Sequence, residues 1–217
     1  MAEPLPVETP AGQARLFLDL ASEPTATLLL GHGAGGGVDA PDLALLARVL
    51  PELGVSVVRF EQPWRTAGRR IAVAPPQLDV AWRAAVAWLV AQPWMAGGLF
   101  VGGRSAGARV ACRTADELGA RGVVCLAFPL HPPGRPDRSR IGELLAPSVP
   151  RLVLQGTNDA FGGPADVRTA SAGASGIRVV DLPGADHGYR VAKGSPCTAA
   201  DLRTVVAASV HAFVTGG

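Results

Sequence analysis

Ser105 stands in Gly103-Arg104-Ser105-Ala106-Gly107, a G-x-S-x-G pattern between the apolar run Leu99-Phe100-Val101 and a helical pattern that begins near Ala106. A serine on a tight strand-to-helix turn has its Oγ pushed clear of the backbone at the carboxyl edge of a sheet. Gly103 and Gly107 suit such a turn, because a Cβ at either place would crowd the neighbouring strand or helix. The helix N-terminus behind the serine favours the negative charge that develops during acyl transfer. With 27 glycines in 217 residues the pattern alone has little weight, so its partners decide.

A serine hydroxyl is a poor nucleophile until a base takes its proton, and the base needs a third group to hold its tautomer. Of the histidines, His187 lies in the loop Gly184-Ala185-Asp186-His187-Gly188-Tyr189, between the last strand pattern and the last helix pattern. Such a loop can bring an imidazole over the top of the sheet. His187 is therefore favoured over His32, His131 and His211, the last a helix-face residue. The acid is expected after a strand between serine and histidine. Asp159, in Gln155-Gly156-Thr157-Asn158-Asp159 after the run 152–154, meets that requirement, although Asn-Asp is also ordinary turn chemistry. Asp186, adjacent to His187, and Asp166, in the first turn of a helix, are rivals. The order Ser105, Asp159, His187 is that of a hydrolase built on a strand-to-helix serine turn.

Acyl transfer also needs two backbone N–H groups where the tetrahedral oxygen will sit. Ala106 supplies one. The glycine-rich loop Gly31-His32-Gly33-Ala34-Gly35-Gly36-Gly37 is expected to supply the other from Ala34, with Gly35 as the alternative, while His32 braces the loop. The same loop fits G-x-G-x-x-G, a dinucleotide fingerprint. Against that reading, Asp39-Ala40-Pro41 marks the helix start later, with Asp as cap and Pro in the first turn. It also leaves Ser105, Asp159 and His187 unexplained.

The elements that must position these groups follow from apolar periodicity. Residues 14–20 alternate as a half-buried antiparallel strand does. Continuous apolar runs at 26–30, 55–58, 99–101, 123–127, 152–154 and 177–180 suit strands covered on both faces. Helical patterns cover about 41–53, 77–92 (Leu78, Trp82, Ala85 and Leu89 on one face), 105–118, 164–172 and 198–214. Trp82 and Trp88 read as helix–sheet packing. Residues 1–12, rich in Pro and Glu, are expected to trail over the surface. Such alternation means an α/β fold, a mostly parallel sheet with helices on both faces, and one domain over 1–217 is expected. Ligands then bind at the strands' carboxyl ends.

Composition bounds the function classes. At 48% hydrophobic and 18% charged the chain is globular, and a net charge of +2 gives no argument for nucleic acid or membrane surfaces. No apolar run reaches the roughly 18 residues of a membrane span. The start, Met1-Ala2-Glu3-Pro4, has no secretory signal character, and Cys112, Cys125 and Cys197 lack metal-type spacing, so a cytoplasmic protein with reduced, mostly buried thiols is expected.

These residues resemble the α/β-hydrolase superfamily from about 14 to 214. A narrower likeness rests on His32-Gly33-Ala34-Gly35-Gly36, Gly102 to Arg109, Phe128-Pro129-Leu130-His131-Pro132-Pro133-Gly134 and Gln155 to Gly162. Together they are similar to a small capless group, the hydrolase-like subunit of the eukaryotic non-specific lethal chromatin complex and its bacterial relatives. That likeness implies the fold and the Ser105, Asp159, His187 triad, and no substrate. The connection between the strands near 127 and 152 is too short for a cap domain, so an open, shallow site is expected. Gly35, Trp64, Arg104 and Phe161 are its expected substrate contacts, with the segment 59–70 as one wall; Arg104 has the alternative of pairing with a buried carboxylate. The expected function is hydrolysis of short carboxylic esters or thioesters through an acyl-enzyme on Ser105, with no metal or organic cofactor. The alternative is a binding or scaffold module with an idle triad. Oligomeric state is open.

Overall fold

The computed structural model describes residues 3–95 and 97–216. In chain order the elements are β1 (Leu5–Thr9), β2 (Gly12–Asp19), β3 (Ala26–Gly31), α1 (Pro41–Val49), β4 (Val55–Glu61), α2 (Pro63–Thr66), α3 (Pro75–Val90), β5 (Gly98–Arg104), α4 (Ala106–Thr114), β6 (Val123–Leu126), α5 (Ile141–Leu145), β7 (Arg151–Gly156), α6 (Pro164–Ala170), β8 (Ile177–Leu182) and α7 (Ala199–Thr215). They build one eight-stranded sheet in the order β1-β2-β4-β3-β5-β6-β7-β8. β1 pairs antiparallel with β2 and β2 antiparallel with β4; the remaining pairs are parallel.

The central strands are apolar throughout because both faces are covered, and alternate residues feed opposite layers. Leu28 and Leu30 of β3 pack with Leu43 and Leu46 of α1 and Val206 and Val210 of α7. Leu29, Val58 and Phe60 face the other way, towards Trp82 and Leu89 of α3 and Val110 of α4. Trp82 is fully buried with its edge on Phe60, and Trp88 packs near Trp94, as helix–sheet packing requires. Cys112 and Cys125 are free, buried thiols with sulfurs 3.5 Å apart.

Three expectations are corrected. Residues 5–9 do not trail over the surface: they form β1, which buries Val7 and hairpins back onto β2. Pro6 is tolerated there because β1 is an edge strand. Asp39 does not cap α1. Ala40 occupies that position without a side-chain cap, Pro41 opens the helix, and the Asp39 carboxylate lies 3.6 Å from Arg59. The helix expected over 41–53 divides into α1 and a short 3-10 turn at Pro51–Leu53. The connection from β6 to β7 holds only the five-residue α5, so no cap domain covers the strand ends. Among the described residues no helix is long and apolar enough to cross a membrane.

Candidate active site

The serine turn is built by close approach. Gly31 of β3 and Gly103 of β5 face each other in register. A Cβ on Gly103 would lie 2.4 Å from the Gly31 carbonyl oxygen, and one on Gly107 only 2.3 Å from the same atom. Both glycines are therefore sterically required if α4 is to start immediately above the sheet. The chain reverses at Ser105 with φ 51 and ψ −107, a conformation that L-residues avoid. The Ser105 N–H donates to the Leu126 carbonyl at 2.9 Å, which ties this strained turn to β6.

Ser105 Oγ lies 3.0 Å from His187 Nε2, and His187 Nδ1 lies 2.8 Å from Asp159 Oδ2. The three side chains come from the ends of β5, β7 and β8 and meet at one edge of the sheet. Asp159 is fully buried at its carboxylate, and its Oδ1 accepts from the Phe161 N–H at 2.8 Å. Its Oδ2 also accepts from Gln155 Nε2, which donates as well to the Phe128 and Gly162 carbonyls. Gln155 thus fixes the orientation of the acid; its position at the end of an apolar strand gives no sequence signal for that role. The Phe161 ring stacks on the His187 imidazole at 4.1 Å between centroids.

The rival groups are engaged elsewhere. Asp186 Oδ1 accepts from the Gly188 and Arg190 N–H groups and braces its own loop. Asp166 accepts from the Gly163 N–H at the start of α6. His131 Nδ1 contacts the Pro132 carbonyl, and His211 contacts that of Leu53. His32 is buried, with Nδ1 against the Gly33 carbonyl at 2.8 Å and Nε2 accepting the Gln62 N–H at 3.1 Å. This pattern needs the neutral Nδ1–H tautomer. Burial lowers the His32 pKa; the Gly33 carbonyl and Glu61 oppose the shift, and Arg65 adds to it. His32 thus holds the glycine loop in place, as its sequence position implies.

Ala34 and Ala106 both border the cleft beside Ser105. The Ala34 N–H has no hydrogen-bond partner among the described residues, and Ala106 is the first residue of α4, where helix N–H groups have no intrahelical acceptor. The cleft has a volume of about 470 Å³; Gly35, Arg109, Pro129, Arg140 and Phe161 form its walls. Two expected contacts also have partners of their own. Trp64 is buried with its ring against His32, 5.5 Å between centroids, and lines a small pocket of about 10 Å³ that shares Gly33, Ala34 and Ala106 with the cleft. The wall expected from segment 59–70 accordingly faces that pocket and the β2 side, and Arg59 is buried against Asp19. Arg104 borders the cleft, but its Nη1 pairs with buried Asp42 and its Nη2 donates to the His187 carbonyl. Its guanidinium also lies 5.1 Å from the Tyr189 ring centroid, and the Tyr189 hydroxyl donates to Leu154 O and accepts from Ala127 N–H.

In this geometry a base can take a proton from a serine while a carboxylate holds the opposite ring nitrogen, beside an open cleft bordered by Ala34 and Ala106. That is the equipment of acyl transfer.

Residues 24–215 match the family described as the alpha/beta hydrolase domain. The chain is also similar to solved structures across nearly its whole length. XC6422 from Xanthomonas campestris, described as a member of the a/b serine hydrolases without lid, has 24% identity and a TM-score of 0.75, covering 98% of this chain and 94% of that one. An alpha-beta serine hydrolase homologue from Coxiella burnetii has 20% identity and a TM-score of 0.78, covering 97% and 98%. Dienelactone hydrolase from Anabaena variabilis has 20% identity and a TM-score of 0.76, covering 100% and 97%. At these identities the structural likeness carries the fold, and the match over residues 24–215 carries the family: the chain belongs to the alpha/beta hydrolase domain family.

Proposed function

We propose that this protein is a serine hydrolase of short carboxylic esters or thioesters. The observation that carries the reading is the hydrogen-bonded line from Ser105 Oγ through His187 to Asp159, with spacings of 3.0 and 2.8 Å, opening on a cleft without a cap. Ser105 Oγ attacks the acyl carbon as His187 Nε2 takes its proton. The oxygen that becomes negative accepts from the Ala34 and Ala106 N–H groups. The tetrahedral intermediate collapses, the bond to the leaving group breaks, and His187 returns the proton to that group. Water, deprotonated by the same nitrogen, then attacks the Ser105 ester and releases the acid. Asp159 holds the Nδ1–H tautomer and stabilises the imidazolium in both halves.

The resemblance of the His32–Gly36 and Gln155–Gly162 stretches to the capless relatives of the non-specific lethal complex subunit supports an open site and carries no chromatin role. The free cysteines Cys112, Cys125 and Cys197 support a reducing, cytoplasmic setting. The test is a fluorophosphonate probe with p-nitrophenyl acetate turnover. Labelling of wild type and not of Ser105→Ala, together with loss of turnover in that variant, supports the reading. A folded wild type that neither labels nor turns over esters is an idle module instead.

A further inference from the structure

Three guanidinium groups border the cleft beside Ser105, those of Arg104, Arg109 and Arg140, and they are not equivalent. Arg104 is neutralised by Asp42. Arg109 grips Glu143 through Nε and Nη2 at 2.6 and 2.7 Å. Arg140 has no carboxylate within ion-pair distance among the described residues. Its Nη1 donates to the Pro129 carbonyl at 3.1 Å, and its own N–H donates to Leu130 O at 2.7 Å. These bonds anchor the half-buried side chain to a cleft wall and leave the Nε and Nη2 donors available.

The surrounding charges do not cancel. Arg113 joins the group, pairing with Asp79 and with Glu143 at 2.6 and 3.2 Å. Arg109 and Arg113 are thus paired with Glu143 and Asp79, and Arg140 is the guanidinium of this group without a carboxylate partner among the described residues. Burial, Arg109 and Arg138 all lower the Arg140 pKa, against Glu143, so its cation sits among like charges. A guanidinium stays charged under such conditions, and an anion entering the cleft would relieve the imbalance with two well-directed hydrogen bonds.

We infer that the substrate is an ester carrying one carboxylate, and that Arg140 is the residue that binds it. This rests on the serine hydrolase reading above and adds the substrate class to it. Arg140 stands on the Pro129 side of the cleft, opposite the loop of Ala34 and Gly35. A carboxylate there holds the ester carbonyl in the cleft while its oxygen faces the free N–H groups. The shared chemistry is the carboxylate, whether it belongs to the acyl group or to the alcohol.

Two pairs of esters separate these sources. In one, the p-nitrophenyl hemiester of glutaric acid is compared with p-nitrophenyl valerate; in the other, meta-carboxyphenyl acetate is compared with phenyl acetate. Each kcat/KM is divided by the ester's own hydroxide rate. In one pair the anionic ester is expected to be favoured about tenfold, a factor worth about 1.4 kcal/mol. Arg140→Gln should erase that ratio, Arg140→Lys should keep most of it, and salt should weaken it. Equal ratios in wild type and Arg140→Gln, or preference for the neutral ester in both pairs, overturn the inference while leaving ester hydrolysis standing. If no ester turns over, calorimetric binding of meta-carboxyphenyl acetate to Ser105→Ala, with and without Arg140→Gln, still reads the site. Binding weakened about tenfold by Arg140→Gln supports the anion site, and equal or absent binding overturns it.

Discussion

The Arg104 guanidinium donates to the carbonyl oxygen of His187, so the residue immediately before the serine holds the main chain that carries the base. The same guanidinium pairs with Asp42, which is buried in the first turn of α1. One side chain thus joins the β5 turn, the β8–α7 loop and α1.

Removing Arg104 should therefore do two separable things. Arg104→Met leaves the Asp42 carboxylate buried without its partner, which costs on the order of 3 kcal/mol of stability. It also frees the His187 main chain, so kcat should fall more than KM rises. Urea unfolding of Arg104→Met, Asp42→Asn and the double variant tests the first effect: the double variant should be more stable than the sum of the singles predicts. Strict additivity would show that the pair is not energetically coupled.

Asp159→Asn should lower kcat by about 10⁴-fold, because an amide at that position favours the wrong imidazole tautomer. Asp186→Asn should change kcat little, since its carboxylate serves only N–H groups of its own loop. Steady-state kinetics of the two variants, with circular dichroism to check folding, decides between them. The reverse ranking would move the acid to Asp186.

His32 makes a prediction about pH. Its folded pKa lies below the ordinary value of 6.5, chiefly through burial, so the unfolded chain binds the proton first. The neutral His32 contribution to stability is then complete above about pH 6.5 and is lost as pH falls below it. Denaturant unfolding between pH 5 and 7.5 should show stability rising with pH in wild type, with a shallower slope in His32→Gln. Slopes of equal size would mean that other groups carry the dependence. In the same variant kcat should fall, less than in His187→Ala, because the Ala34 loop loses its brace.

The open cleft limits acyl length. Each methylene removed from water is worth about 0.8 kcal/mol, and the β6–β7 connection, with only the five-residue α5, supplies no apolar cover for a long chain. Over a series of p-nitrophenyl esters, kcat/KM should peak between acetyl and butyryl and decline towards palmitoyl, without activation at a lipid interface. A steady rise along the series would instead require an apolar tunnel, with Phe161 the first wall residue to replace.

Much of this arrangement is legible in the sequence. Buried parallel strands print themselves as apolar runs, so the strand ends that carry Ser105, Asp159 and His187 can be placed, and the order of those residues narrows the chemistry. Other features leave no such trace. β1 is short and interrupted by Pro6, and only Val7 of it is fully covered. Asp39 reads as a cap from its neighbours, yet the helix opens one residue later, with Ala40 in the cap position and Pro41 first in the helix. Trp64 reads as a wall of the open cleft, but it is buried and lines a small pocket that meets the cleft at Ala34 and Ala106. Charge pairs such as Arg104 with Asp42 span 62 positions and follow no periodicity, so the difference between a neutralised arginine and Arg140 is visible only in three dimensions.

His187 hangs from β8, an edge strand of the sheet in which Leu182 alone is buried. Edge segments with few buried contacts open at lower free energy than a central strand does. The proton acceptor is thus mounted on the outermost plank, while the nucleophile is fixed to the central one, β5. Fraying at that margin disconnects the chemistry while the interior stays assembled. Inactivation by mild heat or denaturant should therefore run ahead of the loss of helical signal, and activity becomes an early gauge of that margin rather than of the whole molecule.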